Sequence, residues 1–192
     1  GEKFDCVVAN PPFSVAWTPM PLDPRFAGLA APKSKADLAF VQHSLYWLRD
    51  GGQGAFVLFP GALYRGGSEE KIRRSWIERG WIRAVVQLPD KLFQETQIST
   101  VVVVFKKETS DAPVLFVDAS GMSVQTGKTR AIGAEHVDDI ARIVSERKEI
   151  KGVAALVSRD MILEDCNLSP SRWIEKEIVN DNPYFGKSVA EV

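Results

Sequence analysis

Apolar residues recur along this chain with two spacings, one typical of strands and one of helices. Residues 4–9 (F-D-C-V-V-A) make an apolar run of strand length, cut short by prolines at 11 and 12. Over 37–49, Leu38, Val41, Leu45 and Leu48 fall at helical spacing behind Asp37, and Gly51 and Gly52 predict the stop. A buried strand is expected over 55–59, ended by Pro60. Ser68 reads as the N-cap of a second helix over 69–79, with Ile72, Trp76 and Ile77 inward, Gly80 as its C-cap, and Glu69 and Glu70 suiting the positive end of its dipole. Strands follow over 82–88 and the Val-rich 100–106, separated by a loop over 91–98, and another over 114–118. A polar turn region over 121–133 precedes a charged helix over 135–151 with Val137, Ile140, Ala141 and Val144 inward. The tail from 153 predicts a short strand, a turn or helix over 159–165, and the segment N-L-S-P-S-R-W at 167–173.

Strand–helix–strand–helix–strand, then a strand returning without a helix, predicts an open α/β sheet with an antiparallel strand near one edge. In such sheets ligands bind beyond the carboxyl ends of the strands. The turn after the first strand, Asn10-Pro11-Pro12-Phe13, occupies that position.

Its residue types suit one chemistry. The exocyclic amine of adenine is a poor nucleophile because its lone pair is delocalised into the ring. A site that accepts both N–H bonds draws that nitrogen toward a tetrahedral, more nucleophilic geometry. The side-chain oxygen of Asn10 supplies one acceptor and the Pro11 carbonyl the other, while the two prolines remove competing donors and fix φ. Asn10, preceding proline, is biased toward extended backbone, so the strand runs straight into the turn. Phe13 offers an apolar face to an extruded base, with an expected gain of about 1–3 kcal/mol. Extrusion is needed because the amine is out of reach inside a duplex. The bland alternative is a rigid strand-ending turn with no chemistry.

Composition narrows the class. At 192 residues, with 45% hydrophobic and 26% charged content, the chain can bury a core as one soluble unit. No apolar stretch approaches membrane-spanning length and no signal-peptide pattern is present, which favours a cytoplasmic protein. Cys6 and Cys166 form no C-x-x-C pair and read as reduced, buried thiols. His43 and His136 lie too far apart for metal-ligand spacing, so no metal is expected, and His43 reads as a helix residue rather than a base. A net charge of −1 is unlike an autonomous DNA binder, so any grip on DNA would lie elsewhere in the protein or on another subunit.

Other features carry weaker signals. The Pro-rich segment 14–36 is long for a connector and reads either as solvated chain or as a flap, with Arg25, Lys33 and Lys35 as candidate phosphate contacts. Arg73, Arg74 and Arg79 read as a solvated helix face. Gly127-Lys128-Thr129 lacks the earlier glycine of a phosphate loop, and Gly51, Gly52 and Gly54 precede a strand instead of following one, so both read as turns.

Several blocks, taken in order, carry a family resemblance: F-D-C-V-V-A-N-P-P-F, D-L-A-F-V-Q-H, G-G-Q-G-A-F-V-L-F-P, A-V-V-Q-L-P, I-S-T-V-V-V-V-F, G-K-T-R and N-L-S-P-S-R-W. With them the chain resembles the modification (methyltransferase) subunit of type I DNA restriction–modification systems. That resemblance implies the C-terminal half of a Rossmann-like methyltransferase sheet over 1–110 and a C-terminal extension of the subunit over 111–192. It implies methyl transfer from S-adenosylmethionine to adenine N6 in DNA, alongside a specificity subunit and a restriction-translocase subunit. Asn10, Pro11 and Phe13 would then hold the adenine, with Pro12 stiffening them. The family's Gly-rich cofactor loop would lie upstream of Gly1, leaving the cofactor contacts unassigned here and this chain inactive alone, with an open sheet edge at residues 4–9. Trp173 stands where relatives often have Tyr and reads as a packing residue. Two other functions compete: methylation of a protein glutamine amide, which uses a similar turn, and a non-catalytic module that docks a specificity subunit.

Overall fold

The structure is a computed structural model and describes residues 2–20, 22–93, 98–127 and 129–175. Pro21, residues 94–97 of the expected 91–98 loop, Lys128 of the G-K-T sequence, and residues 176–192 of the expected extension lie outside the described residues.

In chain order the elements are β1 (Phe4–Ala9), α1 (Asp37–Trp47), β2 (Leu48–Leu58), α2 (Ser68–Glu78), β3 (Ile82–Gln87), β4 (Val101–Lys106) and β5 (Val114–Asp118). They continue with β6 (Val124–Thr126), β7 (Thr129–Ala131), α3 (Ala134–Glu146), β8 (Ala154–Val157), α4 (Arg159–Leu163) and α5 (Pro170–Trp173). Six strands form one sheet in the order β1-β2-β4-β3-β5-β8. β1 and β2 are parallel, β4 is antiparallel to both β2 and β3, β5 is parallel to β3, and β8 closes the far edge antiparallel. The returning strand β4 is therefore antiparallel as predicted but third of six, inside the sheet and not near an edge, because β5 and β8 lie beyond β3. β5 and β8 then extend the same sheet past residue 110.

Two-residue periodicity sorts the side chains to two faces. Val101, Val103 and Phe105 of β4, Phe56 and Leu58 of β2, and Val114 and Phe116 of β5 enter one core with Leu38 and Val41 of α1 and Ile72 and Trp76 of α2. Ala84 and Val86 of β3 and Leu115 and Val117 of β5 enter a second core with Ile143 of α3. The tail closes the first core: the Trp173 ring lies 5.8 Å from that of Phe116, and its indole N–H donates to the Asn167 carbonyl at 3.0 Å. Among the described residues no helix is long and apolar enough to cross a membrane.

Several local expectations are corrected. α1 ends at Trp47, and the chain passes straight into β2 at Leu48, so Gly51 and Gly52 are not its stop. They belong to a bulge where the β1 register jumps from Phe4↔Leu48 to Cys6↔Gln53. Ser68 opens α2 without capping it through its side chain. Cys6 is exposed, not buried, because β1 is the outermost strand among the described residues, whereas Cys166 is buried as expected. The polar region 121–133 contains the hairpin β6–β7, whose three-residue strands carry too little alternation to read from sequence. Arg73 is not on a solvated face: it is 1% exposed and donates to the carbonyls of Cys166 (2.9 Å) and Ala62 (3.1 Å).

Segment 14–36 is anchored to the fold at several points rather than a fully solvated connector. Ala36 N–H donates to the Val15 carbonyl and Trp17 N–H to the Lys33 carbonyl, both at 2.8 Å, closing its base. Phe26 is buried with its ring 5.1 Å from that of Trp17, and Gln42 of α1 donates to the Leu29 carbonyl at 2.7 Å.

The C-cap of α2 is Arg79 rather than Gly80, which follows it with φ +67° and its N–H on the Ile77 carbonyl at 2.9 Å. A Cβ there would fall 1.8 Å from the Ser110 carbonyl oxygen. Gly80→Ala thus adds backbone strain to a backbone clash. The expected cost is about 2 kcal/mol or more, or about 4–8 °C in melting temperature. A thermal melt that moves by less than about 1 °C would show that residues 107–112 yield freely.

Candidate active site at the carboxyl rim of the sheet

β1 pairs with β2 through Ala9↔Phe56, so Asn10 emerges beside the end of β2, at the carboxyl end of two parallel strands. Asn10 and Pro12 are exposed, and Pro11 and Phe13 are half-buried. The Asn10 side chain makes no hydrogen bond to another described residue, so its oxygen is available to a ligand. Phe13 does not stand alone. Its ring centroid lies 6.5 Å from Phe59, which follows β2, and 6.3 Å edge-on from Phe93, in the loop after β3. That loop is tied at its base by the Leu88 N–H, which donates to the Thr100 carbonyl at 2.9 Å.

Three phenylalanines from three strand ends thus form a partly open aromatic corner next to an unengaged carboxamide. Sequence reasoning found Phe13 and missed Phe59 and Phe93. The available signal was positional: each is an aromatic just past the carboxyl end of a strand in the same sheet. Such a corner can stack a flat base and bring its exocyclic amine to the Asn10 oxygen.

A chain of charged groups lies beside the turn. Ser14 has φ 53°, and its N–H donates to Oδ1 of Asp37 at 3.2 Å. Asp37 and Glu69 are both buried, at 1% and 2% exposure. Arg65 joins them: Nη2 is 3.7 Å from Asp37 Oδ2, while Nε and Nη2 bond the Glu69 carboxylate at 2.6 and 2.7 Å. The hydrogen bonds to Glu69 raise the Arg65 pKa above its ordinary value, so the guanidinium is firmly charged. Sequence reasoning assigned Asp37 and Glu69 only to helix starts and did not single out Arg65.

The basic candidates of segment 14–36 stand apart from this cluster. No hydrogen bond, ion pair or ring contact joins Arg25, Lys33 or Lys35 to residues 10–13 among the described residues. Arg25 is paired with Asp23, whose carboxyl its hydrogen bonds hold down at about 2. Its Nη1 also lies 3.0 Å from Nδ1 of His43, and burial, then the Arg25 charge, lowers the His43 pKa. His43 is therefore a neutral partner of Arg25 at neutral pH. Lys33 is exposed and Lys35 half-buried. Gly51, Gly52 and Gly54 lie near the start of β2, the opposite end of the sheet from Asn10.

The profile of the family described as N-6 DNA Methylase matches residues 1–182. The type I restriction enzyme MpnII methylase subunit of Mycoplasma pneumoniae is 38% identical over 183 residues, covering 91% of this chain and 34% of that protein. The MjaVII methylase subunit of Methanocaldococcus jannaschii is 32% identical over 160 residues, covering 78% of this chain and 27% of that protein. The solved methyltransferase subunit of a type I restriction–modification system from Streptococcus thermophilus superposes with a TM-score of 0.86 at 37% identity, covering 90% of this chain and 38% of that one. The chain spans about a third of the length of the curated relatives it matches. The mixed sheet, with β4 inserted antiparallel between β2 and β3, is the methyltransferase fold expected from the strand order. From the matched profile, the aligned relatives and the shared fold, the chain belongs to the N-6 DNA methylase family.

Proposed function

We propose that this chain is the base-holding part of a DNA adenine-N6 methyltransferase, the modification subunit of a type I restriction–modification system. The observation that carries the proposal is the exposed, unengaged Asn10 beside the half-open Phe13 ring at the carboxyl rim of the sheet. Asn10 Oδ1 and the Pro11 carbonyl accept the two N–H bonds of the extruded adenine's amine, and Phe13 stacks its ring. Pro12 keeps the turn stiff, so little reorganisation is needed when the base arrives, and positioning supplies most of the rate gain. The proton lost from the nitrogen after transfer sits in a hydrogen bond to one of these two oxygens and leaves to water.

S-adenosylmethionine would supply a methyl group activated on a sulfonium. The described residues fit the methyl acceptor's seat, and none of them is assigned to the cofactor: no Gly-rich turn links a strand to a helix at the Asn10 end of the sheet among them. Residues 1–110 would form the catalytic half and 111–192 the extension. Lys33 and Lys35 would meet DNA phosphates, with Arg25 contributing less because Asp23 already shares its charge. The near-neutral balance of the chain fits a protein that relies on a specificity subunit to read DNA and works with a restriction-translocase subunit.

Product identity tests this directly. Full-length protein, assembled with its specificity subunit, is incubated with S-adenosylmethionine and either duplex DNA or protein. N6-methyladenine in digested DNA is expected. A methyl group on a glutamine amide, with unmodified DNA, would contradict the proposal in favour of protein methylation.

A further inference from the structure

We propose that Asp37 is a positioning residue for the Asn-Pro-Pro-Phe turn, holding it through the backbone of Ser14 while Arg65 and Glu69 hold Asp37. The inference rests on the reading that this turn seats the adenine, and it adds what fixes the turn in place.

The Ser14 contact is where the chain of charges meets the site. Ser14 directly follows Phe13 and has φ 53°, a left-handed conformation that a residue with a Cβ rarely keeps unaided. Its N–H points to Asp37 Oδ1 at 3.2 Å. Ser14 is itself exposed, so burial does not hold it there. A carboxylate as buried as Asp37 is costly unless its charge is balanced. The balance comes from three sources: Arg65 Nη2 at 3.7 Å, the Ser14 N–H, and the amino end of α1, which Asp37 opens.

Arg65 is fixed in turn. It grips both oxygens of Glu69, which sits in the first turn of α2, so two helix starts converge on one guanidinium. Its Nη1 lies where a side chain on Gly61 would go, since a Cβ built there would fall 2.3 Å from it. Gly61 belongs to the 3-10 turn Pro60–Leu63 that follows Phe59. One arginine therefore packs against the rim turn of β2 and steadies the carboxylate that holds the rim turn of β1. These are the turns whose rings, Phe13 and Phe59, lie 6.5 Å apart. An ion pair serving the core alone would have no reason to end on the backbone beside Phe13.

Losing the Asp37 oxygen frees Ser14 to leave the left-handed region, and Phe13 and Asn10 shift with it. A displacement of about 1 Å at a reacting centre costs on the order of 100-fold in rate. The test uses the full-length, assembled methyltransferase, reading single-turnover methylation, KM for S-adenosylmethionine, and 2-aminopurine emission at the target position as a signature of base seating. Asp37→Ala is expected to slow methylation by about 30–100-fold, with altered emission and KM within about twofold. Asp37→Asn, which keeps an oxygen for the Ser14 N–H, is expected to recover the rate to within about fivefold of wild type. Ser14→Pro removes the donor and, with φ fixed near about −65°, cannot take the left-handed conformation, so it breaks the contact from the exposed side even if Asp37→Ala does not fold. It is expected to be at least as slow as Asp37→Ala, with a melting temperature within about 3 °C of wild type showing that the loss is confined to the turn. Asp37→Asn as slow as Asp37→Ala, or Ser14→Pro at the wild-type rate, would overturn the inference. Asn10→Ala, run in parallel, separates the two levels. If Asn10→Ala alone is slow, only the role of Asp37 falls; if Asn10→Ala is as fast as wild type, the base-holding reading falls and this inference with it.

Discussion

Asn10→Ala in the full-length, assembled protein is expected to lower the methylation rate by about 10²–10³-fold, the range seen when one preorganised polar group at a developing charge is removed. The amine gains positive charge as the methyl bond forms, and an acceptor aimed at its N–H is worth most at that moment. Asn10 is exposed and bonded to no described residue, so its removal leaves no buried partner unsatisfied and should not disturb folding. The loss should therefore appear in the chemical step, with assembly and DNA affinity intact. Phe13→Ala acts differently. It gives up stacking worth about 1–3 kcal/mol, or about fivefold to 150-fold, and should show mainly as weaker capture of the extruded base. Phe59 and Phe93 would retain part of the aromatic surface, which places Phe13→Ala toward the lower end. Single-turnover kinetics on duplex DNA separate the two effects. An Asn10→Ala complex that assembles and methylates within threefold of wild type, a difference of about 0.7 kcal/mol, would favour a docking module with an inert turn.

Arg73→Met is expected to cost about 3 kcal/mol of stability, or about 6–12 °C in melting temperature. The guanidinium ties α2 to the tail through the Cys166 carbonyl, 93 residues away, and to the end of the Pro60–Leu63 turn through the Ala62 carbonyl. Methionine matches much of the volume but leaves both carbonyls short of a donor, at about 1–3 kcal/mol for each buried orphan. Opposing this, burial lowers the Arg73 pKa, so keeping a cation there is itself costly, although Glu69 and Glu70 offset part of that cost. The orphaned carbonyls outweigh the relief, because their partner is lost while they stay enclosed. Differential scanning calorimetry gives the total, and amide exchange over residues 159–175 should speed up first. An unchanged melt with a protected tail would show that Trp173 and the surrounding apolar contacts hold the tail unaided.

What the sequence disclosed, and what it withheld, follows from the range of the forces involved. The apolar runs of β3, β4 and β5 were legible because β3 and β5 bury residues on both faces, β4 buries one face and half-buries the other, and each carries its pattern within six residues. The Asn-Pro-Pro-Phe turn was legible because two prolines fix backbone shape locally. Arg73 misled because a cation on an amphipathic helix is usually solvated, and its acceptors come from a tail turn far along the chain. Arg65 escaped notice for the same reason: its value lies in Asp37, 28 positions earlier, meeting it at a second helix start. Cys6 looked buried because its neighbours are apolar, yet among the described residues no strand covers the outer side of β1. The helix-to-strand junction at Leu48 was hidden because Leu48 fits the helical spacing of α1 and also the first pair with β1.

The most direct measurement is a structure of the full-length, assembled protein bound to its target duplex, read at one distance. With the adenine extruded, Asn10 Oδ1 should lie about 2.7–3.2 Å from N6, with the Phe13 ring against the face of the base. An adenine still stacked in the duplex, or one seated where Asn10 cannot reach its amine, would contradict the account.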